Sequence, residues 1–399
     1  MDKTDKNNLA DIEFELRWKS AHGAHTETYF AQRVNAWRDF FVQPVIDALM
    51  NRSVGETVEL TFKAGDIIPD RDPKKVFSVT RSQFDSEFRP DATIHPQRGR
   101  FYPKGILKGV PNVFRANKEP FRCAEVDDTN LLVDFNHPLA GVDLNLKAAI
   151  KRIDSKKGGA GNDWLEILTT GPGMQARWGG QPTDFFSDNP FARPDESPDR
   201  NFYEKPRFVD HIDAKAIENI SEVYANLLEP GSNVLDLMSS WTSHIPPNLK
   251  LGKVIGLGMN LEELKKNDRL TDTVVHDLNE NPRLPFDNQS FEAVLCTVSV
   301  EYLKDPLTVF KEVGRILKQG GRFINAFSNR WFPPKVTAIW EQLYEFERMG
   351  LVSEYFLLSD QFENLCSHSI RGYPRPEDDK YYGELFVSDP VYAVWATKC

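Results

Sequence analysis

A chain of 399 residues exceeds what one ordinary hydrophobic core organises, so two domains and a connector are expected, at roughly 100–200 residues each. Apolar residues at 40% and aromatics at 12% exclude wholesale disorder. A formal net charge of −10 argues against general binding to nucleic acid or to an anionic membrane, both of which need clustered Lys and Arg; a small molecule or a protein is the expected partner.

The opening MDKTDKNNLA is polar and lacks the apolar stretch of a signal peptide. Nowhere is there an uncharged run of ~18 apolar residues that would span a membrane, so a cytoplasmic location is expected. EFELRWK at 13–19 alternates as a strand does. Residues 29–50 carry Phe30, Val34, Trp37, Phe41, Val45, Ile46 and Leu49 at helical spacing, which predicts a helix broken or kinked at Pro44. VGETVELTFKAGD at 54–66 alternates Val58, Leu60 and Phe62 with polar residues, a half-buried antiparallel strand. Residues 99–150 add short alternating strands that end in Leu144, Leu146, Ala148 and Ile150. Together, 1–152 read as a small antiparallel α+β domain.

Within it, NHPLAG at 136–141, preceded by a DD turn and the strand 131–135, resembles the signature of SlyD-like peptidyl-prolyl isomerases of the FKBP superfamily. The VGE–VEL stretch at 54–60 fits the same family, and 99–135 is similar to its peptide-binding flap in length and strand pattern. The family's early-strand pocket Asp and its His- and Cys-rich tail have no counterpart here. The resemblance therefore implies a docking, chaperone-like or dimerising module ahead of an isomerase, with a homodimer left open, since fold alone does not carry function. His137, in a tight turn before Pro138, reads as a structural hydrogen-bonding residue.

From 153 to 200 the pattern breaks into charged, Gly-rich and Pro-rich turns. Trp164, Trp178, Phe185, Phe186 and Phe191 are nevertheless too many large apolar groups for a solvated linker. A packed strap is expected, with a lid or docking strip as the alternative.

After it, AKAIENISEVYANLL at 214–228 sets apolar residues on one helix face, closed by Pro230-Gly231. The strand 234–237 (VLDL) runs into a turn of small hydroxyl residues, the form of a covered parallel strand opening on a ligand. Further apolar runs lie at 253–259, 273–278, 291–299, 321–328 and 391–397. Between the third and fourth of them, LTVFKEVGRIL at 307–317 is a helix for which Lys318 to Gly321 are the expected C-cap. Strand–helix alternation over about 200 residues predicts a doubly wound α/β domain. Pro246-Pro247 between the first two strands implies a very short or irregular first crossover, which leaves room above the cleft for a bulky acceptor or the other domain.

This half, 201–399, resembles the class I S-adenosylmethionine-dependent methyltransferases, a Rossmann-like family, of the type that includes quinone-biosynthesis enzymes. The resemblance rests on order: VLDL with Asp236, then KVIGLGMN, then HDLNENPRLPFDNQSFEAVLC, then EVGRILKQGGRFI. It implies S-adenosyl-L-methionine as cofactor and a small-molecule or protein-bound methyl acceptor. Asp236, Met238, Ser239 and Ser240 fall on the methionine-binding loop. Gly258, Met259 and Asn260 fall on the ribose block, where the family places an acid. Asp277 and Leu278 fall at the adenine edge, and Thr297 closes the fourth strand. Ser and Thr in place of loop glycines can donate to a carboxylate, and Asn260 can bond ribose hydroxyls without a charge.

Methyl transfer is an in-line displacement governed by alignment and desolvation, so no signature base is required. His244 and Tyr302 are the catalytic candidates, with Glu301 beside Tyr302 after the fourth strand also a candidate near the cleft; a backbone-bonding loop role for His244 stays open. Tyr203, Arg207, Phe208 and His211 form either an access wall or ordinary aromatic packing, and Arg330 either meets an anionic group or lies on the surface. Cys123, Cys296, Cys366 and Cys399 are far apart, so neither a metal site nor a disulfide framework is expected, and Cys296 reads as a buried hydrophobe. The alternative for the whole chain is a peptide-binding folding helper with a non-catalytic methyltransferase scaffold.

Overall fold

A computed structural model describes residues 3–36, 38–90, 93–155, 161–186 and 189–399. The N-terminal half forms β1 (Leu9–Lys19), β2 (Gly23–Val34), β3 (Thr57–Phe62), β4 (Val76–Thr80), β5 (Phe101–Pro103), β6 (Pro120–Val126), β7 (Asn130–Asp134) and β8 (Leu144–Asp154). The C-terminal half forms β9 (Val234–Leu237), β10 (Val254–Gly258), β11 (Asp272–Val275), β12 (Phe291–Thr297), β13 (Leu317–Phe327), β14 (Phe362–Arg371) and β15 (Val391–Lys398).

Eleven of these strands make one sheet in the order β11-β10-β9-β12-β13-β15-β14-β2-β1-β8-β3. From β11 to β13 all pairings are parallel, and β15 runs antiparallel between β13 and β14. Strand order reverses at β9, between β10 and β12. Both faces of this part are covered. Helix Ala214–Leu227 buries Ile220, Val223 and Tyr224 against Ala293, Leu295 and Ile324. Helices Pro306–Ile316 and Glu345–Ser359 bury Phe310, Val313, Val352 and Phe356 against Leu235, Val294 and Phe323 on the other face. This is the doubly wound arrangement the apolar runs imply.

The N-terminal strands continue the same sheet, because β2 pairs in parallel with β14. They remain antiparallel among themselves, and their apolar face closes on Val45, Leu49, Trp164 and Leu168. A separate four-stranded antiparallel sheet, β4-β7-β6-β5, packs around Phe84, Tyr102, Phe121 and Val133. The described residues of 153–200 form a packed strap, with Trp164, Leu168 and Phe185 buried.

Two expectations are corrected. Residues 29–50 do not form one broken helix: the N-terminal part is strand, Gly23–Val34, and only Gln43–Leu49 is helical, with Pro44 in its first turn. Pairing on both edges of β2 overrides a helical spacing, and Pro is welcome where the helix starts; Trp37 lies outside the described residues. Likewise Lys318 to Gly321 are not a helix cap. The helix ends at Ile316, Leu317 is extended, and the glycines belong to β13, Gly320 at φ +76°. Among the described residues no helix is long and apolar enough to cross a membrane.

Candidate functional site

A cleft of about 1150 Å³, its open mouth included, lies at the carboxyl ends of β9, β10, β11 and β12. It sits over the reversal of strand order, where an open α/β sheet binds its ligand. Asp236, Met238, Ser239, Ser240, His244, Gly258, Met259, Asn260, Asp277, Leu278, Thr297 and Tyr302, proposed from the sequence for cofactor or catalysis, line it, whereas the candidate Glu301 does not.

The loop after β9 has no helix before β10 and is held by hydroxyls. Asp236, 2% exposed, accepts from Ser239 Oγ at 2.5 Å and Ser243 Oγ at 2.6 Å. Desolvation pushes its carboxyl up to about 6, and the two hydroxyls pull against that shift. Asn267 Nδ2 donates to Ser243 Oγ and to the Ser240 carbonyl. Met238 and His244 sit at φ +57° and +53°, a left-handed conformation that costs non-glycine residues energy and survives where the surroundings enforce it. The Ser239 amide donates to Leu257 O at the end of β10. This draws the loop so close that a Cβ on Gly258 would lie 2.1 Å from Ser239 O.

The hydroxyls and amide expected to face a ligand are engaged within the protein. Ser240 Oγ donates to Glu263 Oε2, and Arg207 N to Glu263 Oε1. Asn260 accepts from Glu262 N and Glu263 N, capping helix Leu261–Lys266, and donates to Tyr203 O and Glu204 O. Asp277 differs. Its Oδ1 accepts from Asn279 N and Glu280 N, while Oδ2 has no partner among the described residues and is not sealed from the cleft.

Opposite the loop, Phe332 stacks on Tyr302 with ring centroids 6.0 Å apart, meets His211 edge-on at 4.7 Å and lies under the Arg207 guanidinium. Tyr302 OH accepts from Phe332 N, and burial raises its phenol well above the usual range. Thr297 Oγ1 bonds Tyr224 OH at 2.6 Å. Burial lowers His244 to about 4, with the neighbouring His211 adding to the shift. Glu301 does not line the cleft; it is 1% exposed, both its carboxylate oxygens lack a partner, and burial raises it to about 8.

The strap reaches the cleft at one residue. Asp199, which lines the cleft, is paired with Arg193 and with Lys335, a lysine 0% exposed that also reaches Asp195 and Ser197 O. Asn279 Nδ2 bonds Asp199 Oδ2 and Tyr302 O, tying the strap to the ends of β11 and β12. Sequence reasoning passed over Asp199, Glu263, Asn279 and Phe332. Only Glu263, three residues after a capping Asn, carries a local signal. Among the described residues no group of three or more His, Cys, Asp or Glu is placed to hold a metal ion.

Residues 243–325 match the methyltransferase domain family. That match covers β10 to most of β13 and lies outside residues 1–152. A demethylmenaquinone methyltransferase of Renibacterium salmoninarum is 29% identical over 116 residues, 29% of this chain and 49% of that protein. The chain thus spans about half the length of this curated relative. Among solved structures, a SAM-dependent methyltransferase of Thermotoga maritima is similar at 17% identity and TM-score 0.34, over 46% of this chain and 92% of that one. One from Aquifex aeolicus is similar at 14% and 0.30, over 50% and 97%. At these scores the fold rests on the strand order above and not on the superpositions.

Proposed function

We propose that this cleft binds S-adenosylmethionine and that the protein transfers its methyl group to a small-molecule or protein-bound acceptor, the N-terminal half serving as a docking surface. The observation that carries the reading is the cleft's position over the β9 reversal, lined by the loops after four consecutive parallel strands, of which β10, β11 and β12 lie in the segment 243–325 that matches a methyltransferase domain.

The residues fit the group. The open Oδ2 of Asp277 accepts from an adenine amino group, Leu278, 4% exposed, gives the ring an apolar floor, and Met238 to Ser240 border the other end. The cofactor supplies an electrophilic methyl on a sulfonium. The chain's own part is to hold and desolvate: the Asp236–Ser239–Ser243 bonds fix the loop, the strap borders the cleft at Asp199, and the Tyr302–Phe332 pair bounds the acceptor's space.

A folding-helper role with a non-catalytic scaffold is favoured by one observation, the engagement of Ser239, Ser240 and Asn260 inside the protein. Isothermal titration with S-adenosylmethionine or its demethylated product separates the two. Binding supports the methyltransferase; no binding at millimolar concentration removes it and leaves holdase and prolyl isomerase assays to test the helper.

A further inference from the structure

Two imidazoles face the acceptor end of the cleft from different elements. His244 projects from the loop after β9, and His211 lies at the exposed mouth, edge-on to Phe332. Each is close enough to the cleft's other groups to feel them: His211 acts on His244, while Glu263, Asp210, Arg207 and Lys380 act on His211. Neither ring is hydrogen-bonded to a described residue, unlike the histidines at the seam between β2 and β14, whose ring nitrogens bond hydroxyls. His244 is also held at a left-handed φ of +53°, a cost accepted for an imidazole with no structural bond to make.

The lining itself is mostly acidic. Asp210, Asp236, Glu263 and Asp277 face Arg207, the one Lys or Arg among the lining residues, while Asp199 is neutralised by Arg193 and Lys335, and Lys380 acts on His211 from outside the lining. Such a lining repels an anionic acceptor and admits a neutral or cationic one.

We propose that His244 and His211 form the proton-accepting end of this cleft, and that the acceptor carries a proton on its nucleophilic oxygen or nitrogen, as a phenol or an amine does, and is not a carboxylate. This rests on the methyltransferase reading. As the acceptor's lone pair bonds the methyl carbon, the carbon–sulfur pair stays with sulfur and the acceptor's proton passes to an imidazole. The positive charge of the sulfonium becomes that of an imidazolium, which returns the proton to water. Burial keeps His244 neutral at physiological pH and makes it a weak base, one that holds the proton only in passing before water takes it.

The test uses the full chain, radiolabelled S-adenosylmethionine, and catechol, tyramine and benzoate as probes, with His211→Gln, His244→Gln and His244→Asn, the last because Asn tolerates a left-handed φ. Label is expected on catechol or tyramine and not on benzoate. Each variant is expected to lower kcat at least about 100-fold, with KM and the affinity for the demethylated cofactor, measured by calorimetry, within about twofold. A readout independent of turnover is the NMR titration of the His244 ring, which starts near 4 and is expected to rise in His211→Gln. Labelling of benzoate, labelling of none of the probes by protein that binds the demethylated cofactor, unchanged kcat in the variants, or a His244 titration indifferent to His211 overturns the proposal. Failure to bind the demethylated cofactor instead overturns the methyltransferase reading beneath it.

Discussion

The carbonyl oxygen of Ser239 occupies the place where a side chain on Gly258 would begin, 2.1 Å from the position of its Cβ. The end of β10 therefore has no room for an acid, and what replaces it is a backbone contact: Ser239 N reaches back to Leu257 O while Ser239 Oγ reaches down to Asp236. Hydroxyls in the loop and glycine at the strand end are one adaptation. The loop folds onto β10 instead of arching over a ligand's ribose.

Gly258→Asp should then weaken the site that a carboxylate would be thought to restore. The side chain must displace the Ser239 backbone and with it the Ser239–Asp236 bond, at about 1–3 kcal/mol for overpacking. A Tm lower by several degrees and a tenfold or greater loss of affinity for the demethylated cofactor are expected from scanning fluorimetry and calorimetry. Tighter binding by Gly258→Asp would show that the loop yields and that the ribose site is intact.

Asp277→Ala should weaken cofactor binding more than His244→Ala does. In the proposed arrangement the open carboxylate oxygen of Asp277 meets the adenine, a bond worth about 1.5–3 kcal/mol, roughly a tenfold to hundredfold change in Kd. The His244 ring is assigned by the same proposal to the acceptor end. The reverse order of affinities would place the adenine elsewhere in the cleft.

Lys335→Met probes the strap. The ammonium is 0% exposed and meets Asp195, Asp199 and Ser197 O. Removing it leaves Asp199, 5% exposed, with Arg193 and Asn279 alone. Breaking a buried pair by deleting one partner costs about 3–5 kcal/mol; the retained Arg193 contact places the expectation at the lower end. Chemical denaturation should show that loss, and limited proteolysis should show cleavage between 190 and 203 before the rest of the chain.

The parallel core was legible because β9, β10 and β12 are apolar runs, a pattern that burial on both faces imposes whatever the neighbours. β14 was not: FENLCSHSIR has neither an apolar run nor an alternation, since its edges are filled by pairing with β15 and β2 and its polar groups find partners only across those edges. The same seam hid β2, whose Phe30 and Val34 happen to fall at helical spacing. At the site, the positions were legible from the order of blocks, but their engagements were not. The cap that Asn260 makes is legible from Glu263 three residues on, but nothing local reveals that its amide also binds Tyr203 O and Glu204 O, and nothing local to Gly258 reveals the carbonyl above it.

The seam between the halves should be acid-sensitive through His25. Its ring is 3% exposed, stacks on Trp18 at 4.0 Å, and bonds Ser367 Oγ with one nitrogen and Ser20 Oγ with the other. Burial lowers it from 6.5 to about 4. A lowered histidine contributes stability that is present in full above 6.5 and is lost as pH falls toward 4, because the unfolded chain takes up the proton first. Glu27, 2% exposed beside Arg371, works the other way: burial raises it to about 7, so its contribution is present below the ordinary carboxylate range and is lost as pH rises through 7. Comparing wild type with His25→Gln cancels the Glu27 contribution. Between pH 7 and 5 the wild type should lose ~2 kcal/mol more unfolding free energy than the variant, measured by urea denaturation at each pH. Equal losses in the two proteins would mean that His25 is protonated in the folded state and that the seam is not where acid acts.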